Sequence, residues 1–75
     1  MRYLLVADVA KMLACSQRTV HERSRRLEIP HRKPPGMRQL LFVEAEVRAW
    51  LDGAAIEVEQ LPRGGRVVKP RPKAT

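Results

Sequence analysis

The sequence predicts a mainly α domain with a small β-hairpin. Three observations carry that reading: two short amphipathic segments joined through a capping serine, a Pro-Pro-Gly turn between apolar arms, and a third amphipathic segment ending at a glycine. In the first segment Val6, Val9, Ala10 and Leu13 fall at i, i+3, i+4 and i+7, one buried stripe on a helix over about 6–13. Asp8 near its start and Lys11 near its end suit the helix dipole. Ala14 and Cys15 leave room only for a sharp turn before Ser16, a good N-cap for a second helix over about 17–27. Val20, Ser24 and Leu27 mark its inward side, while Gln17, Arg18, His21, Glu22, Arg25 and Arg26 fall on or beside the outward one.

Pro30 ends the helical pattern and biases Ile29 toward an extended backbone. Residues 29–33 and 39–43 can then pair as a ribbon turning through Pro34, Pro35, Gly36, Met37 and Arg38. Upstream, Tyr3 and Leu4 either extend or pack beneath the first helix. A third helix is expected over about 44–52, with Val43, Val47, Trp50, Leu51 and Ala54 at helical spacing and Gly53 as its stop. The expected core is Val9, Leu13, Val20, Leu27, Phe42, Val47, Trp50 and Leu51, centred on Trp50. Residues 1–53 read as one domain. Residues 54–75 read as a basic tail that either prolongs the third helix or starts as a short extended piece, then becomes flexible through its Pro and Gly residues.

The chain has 75 residues, a formal charge of +7, and 15 Lys and Arg against 8 Asp and Glu, which favours an anionic partner. Nucleic acid comes first and an acidic membrane surface second. The charge is segregated: residues 18–38 carry Arg18, Arg23, Arg25, Arg26, Arg32, Lys33 and Arg38 against only Glu22 and Glu28, a net +5, whereas residues 39–56 are net −2. Solubility alone does not require that segregation. One cysteine, Cys15, rules out an internal disulfide and a multi-thiolate metal site within one chain. Cys15 and His21 form no nucleophile–base pair, and Gly64 with Gly65 is too little for a phosphate loop, so neither catalytic residue, metal nor cofactor is expected. No apolar stretch is long enough to span a membrane, and a cytoplasmic setting in a bacterial cell fits.

A helix, a tight turn and a capped basic helix make a helix-turn-helix pattern, whose second helix enters the major groove of double-stranded DNA. Gln17 has the amide for an adenine edge and Arg18 the fork for guanine; His21 and Glu22 lie one turn on. Ser16, Thr19 and the first-turn amides can reach phosphates, and Arg25 and Arg26 can grip the backbone. Plainer readings stand beside these: Ser16 as a cap only, Thr19 packed at the turn, Glu22 paired with Arg18 or Arg26, His21 simply solvated. On the ribbon, Arg32, Lys33, Gly36, Met37 and Arg38 form a second candidate surface for a minor groove or its phosphates, against the alternative of an ordinary charged hairpin.

Several stretches resemble the small winged helix-turn-helix proteins of the MerR-like and phage-excisionase group. They are residues 5–13, Ser16 to Val20, Ile29 with Pro30, Leu41 with Phe42, and Glu46 to Leu51; together the likeness spans about residues 3–53. Members of that group often carry a bulky apolar residue where this chain has Arg23, and a glycine near Leu27. The resemblance implies helix two in the major groove with a wing beside it. It implies, more finely, an excisionase or recombination directionality factor of a bacteriophage that binds repeated sites cooperatively, bends DNA and controls integrase. The tail would then contact integrase or RNA polymerase, and copies would associate head to tail on DNA. A small phage or bacterial transcription regulator, the DNA-binding segment of a terminase small subunit, and a protein-interaction adaptor without DNA are the alternatives.

Overall fold

Residues 2–71 are described by a computed structural model. In chain order they form β1 (Tyr3–Leu4), α1 (Val6–Met12), α2 (Gln17–Arg25), β2 (His31–Lys33), β3 (Phe42–Val43), α3 (Glu44–Leu51), β4 (Ile56–Gln60) and β5 (Arg66–Pro70). The fold is therefore mixed α/β rather than mainly α: a helix-turn-helix core beside small antiparallel sheets. None of the described helices is long and apolar enough to cross a membrane.

The three expected helices are present, each one or two residues shorter than the hydrophobic pattern implied. At the head of α1, the Asp8 carboxylate accepts from the Leu5 N–H at 2.9 Å, which satisfies one of the donors a helix start leaves open. All three helices end the same way. The N–H of the first residue beyond the cap bonds three residues back, and the next N–H five residues back: Ala14 to Lys11 and Cys15 to Ala10, Leu27 to Ser24 and Glu28 to Arg23, Gly53 to Trp50 and Ala54 to Ala49. This is the Schellman arrangement, which requires a left-handed residue at its pivot. The pivots are Ala14 at φ 54°, Leu27 at φ 63° and Gly53 at φ 100°. Only the third is the glycine that the geometry favours.

The core comprises Leu4, Val9, Ala10, Val20, Ile29, Leu40, Phe42 and Val47, with Val6, Met12, Leu13, Cys15 and Trp50 packed half-buried around it. Four expectations change here. Phe42, wholly buried, takes the central place expected of Trp50, which sits at the rim because α3 buries its middle residue, Val47, rather than its last turn. Leu51 ends that helix and is 51% exposed. Leu27 is half-buried because α2 stops at Arg25 and the left-handed pivot swings its side chain off the Val20 stripe. Leu13 likewise lies past the end of α1 and packs at the margin.

The largest difference from expectation concerns residues 54–75. Residues 56–60 and 66–70 form an antiparallel hairpin, neither a helical extension nor a flexible start, and β5 is the central strand of a sheet ordered β2-β5-β4. His31 pairs with Val68, Arg32 with Val67 and Lys33 with Arg66. Val68 is fully buried, so the expected tail contributes to the interior. The expected ribbon survives only as one bridge, Arg32 with Leu41, whose N–H groups and carbonyls exchange bonds of 2.7 and 2.9 Å. The rest of its return arm, Phe42 and Val43, pairs instead with Leu4 and Tyr3. Residues 72–75, the end of the expected tail, lie outside the described residues.

Candidate nucleic-acid interface

The N-terminus of α2 is built by Ser16. Its Oγ accepts from the Thr19 N–H at 3.1 Å and shares a hydrogen bond of 2.9 Å with the Thr19 hydroxyl. Helical spacing then buries Val20 and Ser24 and leaves Gln17, Arg18, His21, Glu22, Arg25 and Arg26 exposed on the other side. Arg18 donates from Nε to Glu22 at 3.2 Å, one turn apart. Both side chains are well exposed, and a surface pair of this kind opens at little cost when a stronger partner arrives.

Arg32, expected on the wing surface, turns inward. Its Nη1 and Nη2 donate to the two carboxylate oxygens of Glu46 at 2.5 and 2.9 Å, and both side chains are largely shielded. This bidentate bond keeps the guanidinium firmly charged and ties β2 to α3. The wing turn itself closes through the Met37 N–H to the Pro34 carbonyl at 3.2 Å, with Gly36 and the 46% exposed Met37 at its tip. Against that turn packs the one between β4 and β5, where a Cβ on Gly65 would lie 2.3 Å from the Lys33 carbonyl oxygen and 2.9 Å from Pro35 N. The two loops therefore meet backbone to backbone, and nothing larger than hydrogen fits between them.

Between α2 and this double turn lies a cleft of about 190 Å³. It is lined by His21 and Arg25 of α2, Lys33 of β2, Arg38 and Leu40 from the return arm, and Arg66 of β5, with no carboxylate among them. The structure thus brings His21, Arg25, Lys33 and Arg38 together as candidates. Gln17, Arg18, Glu22 and Arg26 are not part of this lining.

Arg66 is the member that sequence reasoning passed over, and His31 explains its position. His31 is fully buried; its Nδ1 lies 2.6 Å from the Ile29 carbonyl and its Nε2 3.0 Å from Arg66 Nε. Arg66 Nε can only donate, so Nε2 accepts, and Nδ1 carries the proton that goes to the carbonyl. Burial pushes the His31 pKa below its usual value, and the Arg66 and Lys33 charges push the same way, against the Ile29 carbonyl. The ring is therefore held neutral. The signals for this part of the site were the alternation of Ile56 and Val58 with Glu57 and Glu59, and the Pro-Arg-Gly-Gly turn after it, which together spell a hairpin.

A capped basic helix after a tight turn, flanked by a sheet whose loops carry further cations, defines a helix-turn-helix module of the winged kind. The family model for the helix-turn-helix domain matches residues 3–55, and the chain belongs to that family. Comparison with curated proteins and with solved structures returned no match. The matched region covers α1, α2, the wing turn and α3; β4 and β5 lie beyond it. Among the described residues, no group of three or more His, Cys, Asp and Glu could hold a metal ion.

Proposed function

We propose that the protein binds double-stranded DNA sequence-specifically as a small regulator, with α2 in the major groove and the paired turns against the flanking backbone. The observation that carries this reading is the uncovered outer face of α2, continuous with a cleft lined by cations and free of carboxylates. On that face Gln17 and Arg18 supply base-reading groups, with His21 and Glu22 a turn further along. Ser16 and Thr19 serve the cap first and meet phosphate through the helix start. Lys33, Arg38 and Arg25 hold the backbone, and Arg32 acts through Glu46 by keeping β2 in place. The wing tip, Gly36 and Met37, approaches the adjacent minor groove.

The folding of 56–70 weighs against the recombination-directionality reading that the resemblance implies. A tail free to reach integrase is central to that reading, and most of the tail is a hairpin. Action at a promoter needs only the DNA-binding parts. Head-to-tail assembly on repeated sites and the bending of DNA remain properties that the same footprint measures.

The test is footprinting on genomic fragments around the gene, with bending measured on the protected fragment. One or two separate sites without a bend support a regulator. A ladder of repeated sites with a bend replaces it by an excisionase, and absence of duplex binding at low salt ends the DNA reading altogether. Arg18→Ala is expected to lose about 1–3 kcal/mol of discrimination at one base position, whereas Arg25→Ala weakens all sequences alike. Identical base preferences for both variants would refute the assignment of α2.

A further inference from the structure

The cleft supports one more step, which rests on the duplex-binding reading above. Lys33 and Arg66 stand directly opposite each other on paired strands, where like charges repel. His21, Arg25 and Arg38 line the same space. The fold nevertheless holds this arrangement with fixed parts. Gly65 seats the β4–β5 turn against the backbone of Lys33, Pro34 and Pro35, and His31 takes the Nε–H of Arg66. With Nε engaged, the Nη groups are the donors Arg66 has left to offer. The volume, about 190 Å³, is several times the roughly 30 Å³ share of one water. Repelling cations held together with no counter-charge are satisfied by an anion from outside, and a guanidinium fork beside an ammonium suits the oxygens of a phosphodiester.

We infer that the cleft seats one backbone phosphate of duplex DNA, that the C-terminal hairpin supplies part of that seat through Arg66, and that His31 is the positioning residue for Arg66. The DNA interface thus extends beyond the region the helix-turn-helix family defines, onto strands whose sequence reads as a tail. His31 touches no DNA. It fixes the guanidinium by an acceptor that only a neutral ring provides, which is why its burial among cations is useful rather than merely tolerated.

The experiment measures binding of a footprinted duplex by fluorescence anisotropy over a series of salt concentrations, for wild type, Arg66→Ala, His31→Leu and the double variant. Removing one phosphate contact lowers the slope of log K against log salt by about 0.9. Arg66→Ala is expected to show that loss and weaker binding on every duplex, with base preference unchanged. His31→Leu weakens the wild type but adds nothing to Arg66→Ala. Among duplexes carrying single neutral methylphosphonates, one position weakens the wild type and leaves Arg66→Ala unaffected. An unchanged slope in Arg66→Ala, or no such methylphosphonate position, overturns the inference while the duplex-binding reading stands; a wild type that ignores the duplex sinks that earlier reading instead. Arg66→Gln keeps the aliphatic stem and removes the same charge, so it replaces the alanine variant in every comparison should the latter melt below the assay temperature.

Discussion

Replacing Gly65 by Ala tests how the two turns are locked together. Two separate penalties fall on the new methyl. Gly65 has φ 83°, in the left-handed region, where a side chain costs roughly 1–2 kcal/mol. The methyl would also lie 2.3 Å from the Lys33 carbonyl oxygen, 2.9 Å from Pro35 N and 3.1 Å from Pro34 C, all backbone atoms that cannot rotate aside. Relieving such an overlap costs about 1–3 kcal/mol in well-packed sites. The sum is about 3 kcal/mol, a fall in Tm on the order of 12–24 °C for a domain this small. Gly64 is the internal control. It has φ 90°, but nothing lies within 4 Å of its added Cβ, so Gly64→Ala carries the backbone penalty alone. Urea unfolding followed by circular dichroism should therefore place Gly65→Ala about 2 kcal/mol below Gly64→Ala, with the m-value unchanged. Equal midpoints for the two variants would refute the contact between the turns, and with it the account of how Arg66 reaches the cleft.

Ala14→Gly should stabilise the protein: it relieves a left-handed Ala at φ 54° on an exposed site, against the entropy that glycine adds to the unfolded chain, for a net gain of roughly 0.5 kcal/mol in urea unfolding. A loss of stability would contradict the capping geometry between α1 and α2. His31 gives a pH dependence of definite sign. Its folded pKa is below the unfolded value of 6.5, so the unfolded chain takes up a proton that the fold refuses. The stability is full above about 6.5 and declines as the pH falls below it, by at most about 1.4 kcal/mol per pH unit from this group. Thermal melts between pH 7 and 5 should show the decline in wild type and a shallower one in His31→Gln; identical slopes would mean that His31 is not held neutral.

Much of the helical half was legible because helix signals are local. The stripe Val6, Val9, Ala10 and Leu13 and the cap at Ser16 each lie within a few residues, and the fold keeps both. Helix ends were less legible for a physical reason. Gly53 announces its pivot, but Ala14 and Leu27 adopt the same backbone without a residue type that prefers it. Reading Leu27 as a continuation of α2 followed from hydrophobic spacing alone. The same error placed Trp50 and Leu51 at the centre, since spacing shows which residues share a face but not how far the face extends over the core.

The sheet was harder because strand pairing is not local. Each arm of the expected ribbon had the right composition, but a strand has two edges and the sequence does not say which partner takes each. His31 to Lys33 meets Leu41 at a single bridge on one side and β5 along its whole length on the other. Once β5 is the partner, Lys33 and Arg66 must face each other, and everything that makes that juxtaposition tolerable lies far away in sequence. His31 accepts from Arg66 across 35 residues, and Arg32 holds Glu46 across 14. The two neighbouring residues of β2 thus do opposite things with charge. Arg32 turns inward to a carboxylate and is neutralised by it, while Lys33 joins cations that no carboxylate answers. A fold that supplies a counter-ion at one position and withholds it at the next has separated its structural charge from the charge it reserves for a partner, and the reserved part lies beside the exposed face of α2.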